Sequence, residues 1–217
     1  MPIIKAELDK NEKYRERLYC RDYLFTNASN FTLGKYPFYG NWTNVKVGEY
    51  SLVTHPLEHS YVRTKDELSI AMVGHAMNPF TGEINEENIL DQLLEDFRNN
   101  TSCFLEKLDE LTGVFAVIVV YGESIYAVQD CGGQKMLYFG IVEGNVVITS
   151  TPQLAGDVFS LAPDPDVCRL LKSKGYYRGS GFLPGNLSPY IELKRLGPNT
   201  AVSYRDGTYQ IRRIFPR

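Results

Sequence analysis

The sequence predicts an α+β domain in which antiparallel sheets stack on one another and helices flank them. Three observations predict this class. Roughly ten short apolar segments follow one another at hairpin spacing, and several are apolar on both faces, as in sheets covered on both sides. Only the middle of the chain carries a long apolar repeat of helical period. The 217 residues include 15 Tyr, 11 Phe and one Trp beside 18 Gly and 11 Pro, a composition of strands and turns rather than of a helical bundle.

Residues 1–20 are highly charged, and the thin apolar face of Asp9–Leu18 supports a short helix or a loose tail. Tyr23–Thr26, Val45–Gly48, Tyr50–Thr54 and Glu67–Val73 read as strands. Gly34, Pro37 and Gly40 punctuate a loop, and His55-Pro56 breaks the third strand. Asn85–Phe97 places Ile89, Leu90, Leu93, Leu94 and Phe97 on one helical face. Asn85 is its expected N-cap, and Glu86 and Glu87 suit the positive end of the helix dipole. Cys103–Leu111 predicts a second short helix, closed by Gly113. Val114–Tyr121, Ser124–Gln129, Met136–Ile141 and Val146–Ser150 then read as strands joined by tight turns. Asp164-Pro165-Asp166 caps a helix over Val167–Lys174, stopped by Gly175. After a Gly- and Pro-containing loop over 179–189, Ile191–Leu196 is a strand. Thr200–Tyr204 and Tyr209–Ile214 form a last hairpin around Asp206-Gly207.

Several function classes are disfavoured. A net charge of −3 argues against a nucleic-acid-coating surface. No signal-type apolar region follows Met1, and the longest apolar run, Val114–Tyr121, is too short to span a bilayer. Cys20, Cys103, Cys131 and Cys168 are far apart and form no CxxC, so reduced thiols and a cytoplasmic location are expected. Phosphate-loop and dinucleotide fingerprints are absent. His55-Pro-Leu-Glu58-His59 sets two His around an acid, but Pro56 opposes the helix that would aim them together. A surface loop is expected there, not a metal site. Tyr176-Tyr177-Arg178-Gly179 lacks a basic stripe beside it and reads as core packing. No cofactor, metal, nucleic acid or membrane is expected.

Four motifs occur in order over residues 108–200. Leu111-Thr112-Gly113-Val114-Phe115-Ala116-Val117 is followed by Asp130-Cys131-Gly132-Gly133-Gln134-Lys135-Met136-Leu137-Tyr138-Phe139. Next come Ile148-Thr149-Ser150-Thr151-Pro152-Gln153-Leu154 and a stretch from Gly175-Tyr176 through Pro184, Leu187, Ile191, Lys194, Leu196 and Pro198. In this order they resemble the class II glutamine amidotransferase domains of the asparagine synthetase family. Asp130, Gly133, Lys135, Leu137 and Tyr138 match that family's Asp-Arg-x-Gly-x-Lys-Pro-Leu-Tyr-Tyr turn. The resemblance implies the four-layer αββα sandwich of the N-terminal-nucleophile hydrolases, two antiparallel sheets flanked by helices. It would occupy residues 21–217, after an N-terminal extension over 1–20. Within the matched turn, Gly133 is expected to permit a tight or positive-φ turn, Asp130 to accept from backbone N–H groups, and Lys135 to be exposed, with a charge-partner role as its alternative.

Members of this family that hydrolyse glutamine use an N-terminal Cys whose own α-amino group is the general base. Here Pro2 follows Met1, so the encoded terminus offers no thiol. Cys20 is the nearest candidate nucleophile, and it would need processing between Tyr19 and Cys20. The resemblance assigns the oxyanion donors to the Gly74 N–H and the Asn78 side chain, within Val73-Gly74-His75-Ala76-Met77-Asn78. A simple turn role for both residues competes equally. Arg63 and Glu86 are positional candidates for holding the carboxylate and α-amino group of glutamine, and for Glu86 a helix-dipole role suffices. The family's Ser-Gly-Gly-x-Asp pyrophosphatase loop is missing, and the resemblance ends near Phe215. The expected function is a catalytically degenerate glutamine amidotransferase-like domain with a structural or regulatory role in asparagine-synthetase-like amide formation. Its expected partner is an ATP-pyrophosphatase domain in cis or trans, with glutamine as a conceivable ligand. Two alternatives stand beside it. One is a glutaminase that supplies ammonia once Cys20 is exposed. The other is a non-enzymatic interaction module.

Overall fold

The computed structural model describes residues 2–178 and 183–215. Gly179, which begins the predicted Gly/Pro loop, lies outside the described residues, as do the side chains of Tyr177 and Arg178. Helix α1 spans Pro2–Lys10 and a 3-10 turn spans Glu12–Arg17. Strands β1 (Tyr23–Thr26), β2 (Thr43–Val47), β3 (Tyr50–Thr54), β4 (Ser60–Lys65) and β5 (Leu68–Met77) follow. Helices α2 (Glu86–Asn99) and α3 (Thr101–Asp109) precede β6 (Thr112–Tyr121), β7 (Ser124–Gln129), β8 (Tyr138–Val142) and β9 (Asn145–Thr149). Helices α4 (Pro152–Phe159), α5 (Pro165–Leu171) and α6 (Lys174–Arg178) lead to β10 (Leu193–Arg195), β11 (Thr200–Arg205) and β12 (Thr208–Arg213).

The strands form two six-stranded sheets, one in the order β10-β8-β9-β1-β3-β2 and the other in the order β12-β11-β7-β6-β5-β4. All described pairings are antiparallel. Alternate residues of each strand serve different layers. Phe25, Leu52, Val73, Ile118, Ala127 and Phe139 meet between the sheets. On the far side of the second sheet, Ile70, Met72, Val117 and Val119 pack against Leu90, Leu93 and Phe104 of α2 and α3. On the far side of the first, Leu24, Val53 and Val147 pack against Leu154 and Ala155 of α4 and against Phe38 and Trp42. This is the four-layer αββα sandwich that the sequence implied, and it explains why β5 and β6 are apolar on both faces.

Local chemistry sets the helix boundaries. The Asn85 side chain accepts from the Glu87 and Asn88 N–H groups at the start of α2, and Asp164 caps α5 through Asp166 and Val167. Three helices and one strand depart from expectation. The helix expected over Val167–Lys174 ends at Leu171, and Gly175 lies inside the short α6 instead of stopping it. Helix α4 was not predicted, because Pro152 and Gly156 weaken so short an apolar repeat. Gly156 is required by packing: a Cβ there would lie 2.4 Å from Tyr190 Cζ. Strand β4 was also missed, since its polar residues cover the half-exposed edge of the sheet.

The N-terminal segment packs onto the sandwich. The Tyr19 hydroxyl donates to Asp157 Oδ2 at 2.7 Å, the Arg15 guanidinium lies 5.5 Å from the Tyr39 ring centre, and His55 Nε2 is 2.9 Å from the Glu16 carbonyl. No helix among the described residues is long and apolar enough to cross a membrane.

Candidate functional site

One end of the sandwich gathers the matched motifs. The registers Tyr23↔Thr54, Leu24↔Thr149, Ser60↔Val73, Gly74↔Phe115 and Ala116↔Gln129 bring the start of β1 to the same end as Gly74 and Asp130. The connection His55–His59 crosses from β3 to β4 at this end and closes it.

Asp130 behaves as expected. Its Oδ1 accepts from the Gly132 and Gln134 N–H groups at 3.1 and 3.0 Å, and its Oδ2 accepts from the Lys135 N–H at 2.7 Å. Gly133 has φ +63°, the left-handed conformation expected of it. Lys135 is not exposed, which corrects the favoured expectation, and takes the alternative role of a charge partner. Its ammonium pairs with the Glu58 carboxylate, and the two side chains are 12% and 5% exposed. An ammonium drawn into a sandwich end needs a counter-charge, and the connecting loop supplies it.

His55–His59 is a loop with Pro56, Leu57 and His59 exposed, but His55 and Glu58 turn inward from it. His55 is 2% exposed and packs edge-on against the Trp42 ring at 5.3 Å. Its Nδ1 accepts from the Leu57 N–H, so Nε2 carries the proton and donates to the Glu16 carbonyl. Among the described residues no group of three or more His, Cys, Asp or Glu side chains is arranged to hold a metal ion.

The two oxyanion candidates reach this end, but both are committed. The Gly74 N–H donates to the His59 carbonyl at 2.9 Å. Gly74 has φ +101°, and a Cβ there would sit 2.1 Å from the Val114 carbonyl oxygen. Glycine is required so that β5 and β6 can approach closely. Asn78 is 2% exposed. Its Oδ1 accepts from the Phe80 and Thr81 N–H groups and its Nδ2 donates to Glu110 Oε2 at 3.0 Å. This is an Asx turn with a carboxylate anchor. The Glu110 carboxyl is held below its usual range by Lys107 first and Asn78 second.

Cys20 is exposed in a turn closed by the Asp22 N–H donating to the Tyr19 carbonyl, three residues before β1. Tyr19 and Arg21 take φ of +54° and +63° there. No described hydrogen bond joins Cys20 to Gly74 or Asn78. Arg63 and Glu86 serve the outer layer. Arg63 binds Glu87 and Asp91 of α2 at 2.6 and 2.9 Å, and these contacts raise its pKa. Glu86 lies 2.9 Å from His75 Nδ1. Burial would raise the Glu86 carboxyl, but the hydrogen bond from His75 and further contacts together hold it below the usual range.

Sequence reasoning missed Asp22 and its partners. Asp22 Oδ1 accepts from the Ser150 and Thr151 hydroxyls at 2.9 and 2.8 Å. Ser150 Oγ in turn accepts the Tyr23 N–H at 3.0 Å. Burial raises the Asp22 carboxyl, against the opposing pull of both hydroxyls, Lys135 and His55. The signal was present in the Ser150-Thr151 pair of the third motif. The nearest hydroxyls are thus donors to a carboxylate, and the ammonium is neutralised. A cavity of about 330 Å3 is lined by Met136, Ser150 and Thr151 and another of about 410 Å3 by Phe115, Gln129 and Cys131, but Cys20, Gly74 and Asn78 line neither.

No protein-family model and no curated protein matches the chain. Among solved structures it is similar to a glutamine phosphoribosylpyrophosphate amidotransferase from B. subtilis complexed with ADP and GMP, at 12% identity and TM-score 0.47, over 78% of this chain and 36% of that one. It is also similar to a structure described as the allosteric regulatory enzyme of purine biosynthesis, at 12% identity and TM-score 0.49, over 94% of this chain and 44% of that one. The chain therefore spans less than half the length of either structure.

Proposed function

We propose that the chain is a catalytically silent glutamine amidotransferase-like domain with a structural or regulatory role. It would act beside an asparagine-synthetase-like, ATP-dependent amide-forming domain, in cis or in trans, in the cytoplasm. The observation that carries this reading is the hydrogen bond from the Gly74 N–H to the His59 carbonyl. Oxyanion stabilisation needs donors aimed at the place where negative charge develops. Here that donor is spent on the protein's own backbone, and the Asn78 amide is spent on Glu110. The order of the four motifs and the αββα layering support the family part of the reading.

The test is glutamine hydrolysis by the intact chain, read as ammonia release, together with covalent labelling by a diazo-ketone analogue of glutamine. No release above the buffer rate and no adduct are expected. Co-purification with an asparagine-synthetase-like domain is expected from native extracts. Steady ammonia release by the intact chain would overturn catalytic silence.

The exposed position of Cys20 immediately before β1 favours a second reading, a glutaminase matured by cleavage after Tyr19. Intact mass separates the two. A mature species beginning at Cys20 supports the second reading, and an uncut segment before Cys20 supports the first.

A further inference from the structure

The outer face of the second sheet is covered only in part. Helix α2 packs over β4 and β5, and the helical layer ends at Phe97 and Thr101. Beyond them the outer faces of β7, β11 and β12 form a trough of about 410 Å3. That volume lies within the range of small-molecule sites.

The register arranges its floor in rows. One row runs Val119, Tyr126, Ser203, Gln210, and its neighbour begins with Tyr121 and Ser124. Arg205 and Thr208 face each other at the far end of that second row. Arg212 stands one row further on, opposite Ala201. Rows on one face of a sheet are about 7 Å apart, within reach of an arginine side chain. Arg212 leans inward over the trough, because its Nη2 donates to Gln210 Oε1 at 3.2 Å. The Tyr121 ring is 58% exposed on the opposite wall.

The charge of the trough is one-sided. Among the described residues Arg212 pairs with no carboxylate, and Arg205 has only the exposed Asp206 at 3.7 Å, outside the trough lining. Every other lining residue is uncharged. An arginine head without a carboxylate partner binds a planar oxyanion through two parallel N–H donors. An exposed tyrosine ring presents a flat apolar face to another ring.

We propose that this trough is a binding site for a small aromatic carboxylate, its anion held by Arg212 and Arg205 and its ring laid against Tyr121. The site is independent of the sandwich end that bears on glutamine chemistry, so either reading can fail alone.

The experiment titrates the intact chain with benzoate, benzamide and acetate, followed by calorimetry and by amide chemical shifts on β7, β11 and β12. Saturable benzoate binding is expected at millimolar concentrations or below. Benzamide, which keeps the ring without the charge, and acetate, which keeps the charge without the ring, should each bind about tenfold more weakly. Arg212→Gln should weaken benzoate about tenfold and Tyr121→Ser several-fold, with unfolding midpoints unchanged because both side chains are exposed. Benzamide binding as tightly as benzoate, an Arg212→Gln affinity within twofold of the parent, or no saturation by about 10 mM would each overturn the proposal.

Discussion

The Lys135 ammonium and the Glu58 carboxylate, 77 residues apart in sequence, form an ion pair that joins the matched motif turn to the loop closing the sandwich end. Both side chains are largely withdrawn from water, so each needs the other. Glu58→Leu is expected to destabilise the chain by about 3 kcal/mol, because it removes the paired carboxylate of a buried ammonium and leaves only Asp22 nearby to offset its charge. The double variant Glu58→Leu, Lys135→Met is expected to recover most of that loss, since two apolar chains of similar volume carry no desolvation cost. Urea unfolding of the three proteins reads both effects. A double variant no more stable than the single would show that the pair contributes more than mutual neutralisation.

Gly74 tests the close approach of β5 and β6. Alanine there needs φ +101° and places a Cβ 2.1 Å from the Val114 carbonyl oxygen. Gly74→Ala is expected to cost more than about 3 kcal/mol, through backbone strain together with a direct clash. Gly82 is the control, with φ +76° and no atom within 4 Å of the place a Cβ would take. Gly82→Ala bears the left-handed strain alone, about 1 kcal/mol. Thermal unfolding of the pair separates clash from strain, and equal losses would contradict this account of Gly74.

Most of the fold was legible because its signals are local. The apolar period of α2, the Asn85 cap, the Asp130 turn and the positive φ of Gly133 each follow from a few neighbouring residues. Strand β4 was not legible, because an edge strand that is only half-buried along most of its length carries no apolar alternation. The state of the site was not legible for a different reason. Whether Gly74 and Asn78 are free to bind a ligand depends on partners 15 and 32 residues away, His59 and Glu110. Lys135 and Glu58 illustrate the same limit: a lysine in a motif turn gives no sign of which distant carboxylate will meet it.

Asp22 sets a pH dependence whose sign is unusual for a carboxylate. Burial raises its folded-state pKa above the unfolded value, so the folded state binds the proton more tightly. Its contribution to stability is therefore present below the ordinary aspartate range and lost as pH rises through the raised value. At neutral pH the ionised, partly buried carboxylate is a net cost. Asp22→Asn keeps an oxygen for the Ser150 and Thr151 hydroxyls and removes the charge. It is expected to stabilise the chain near neutral pH by on the order of 1 kcal/mol. That gain should vanish on acidification, where the parent is protonated in both states. Chemical unfolding across pH reads the difference, and a gain that persists into acid would locate the effect outside Asp22 ionisation.

Asp157 tests how the segment before β1 is held. Its Oδ2 accepts from the hydroxyls of both Tyr19 and Tyr36. Both phenols are pushed above their ordinary pKa by burial first and by Asp157 second, so both stay protonated as donors. Asp157→Ala leaves two partly buried hydroxyls without their acceptor and is expected to cost about 2 kcal/mol. Asp157→Asn keeps one acceptor oxygen and is expected to cost less. Because Tyr19 is the last residue before the Cys20 turn, losing this anchor should loosen the chain upstream of it. Trypsin is then expected to cut faster after Arg15 and Arg17 in Asp157→Ala, with little change at sites on the strands. An unchanged cleavage rate would shift the anchoring role to other contacts that tie this segment to the sandwich, among them the Arg15–Tyr39 stack, the His55–Glu16 hydrogen bond and Lys5 over the Tyr36 ring.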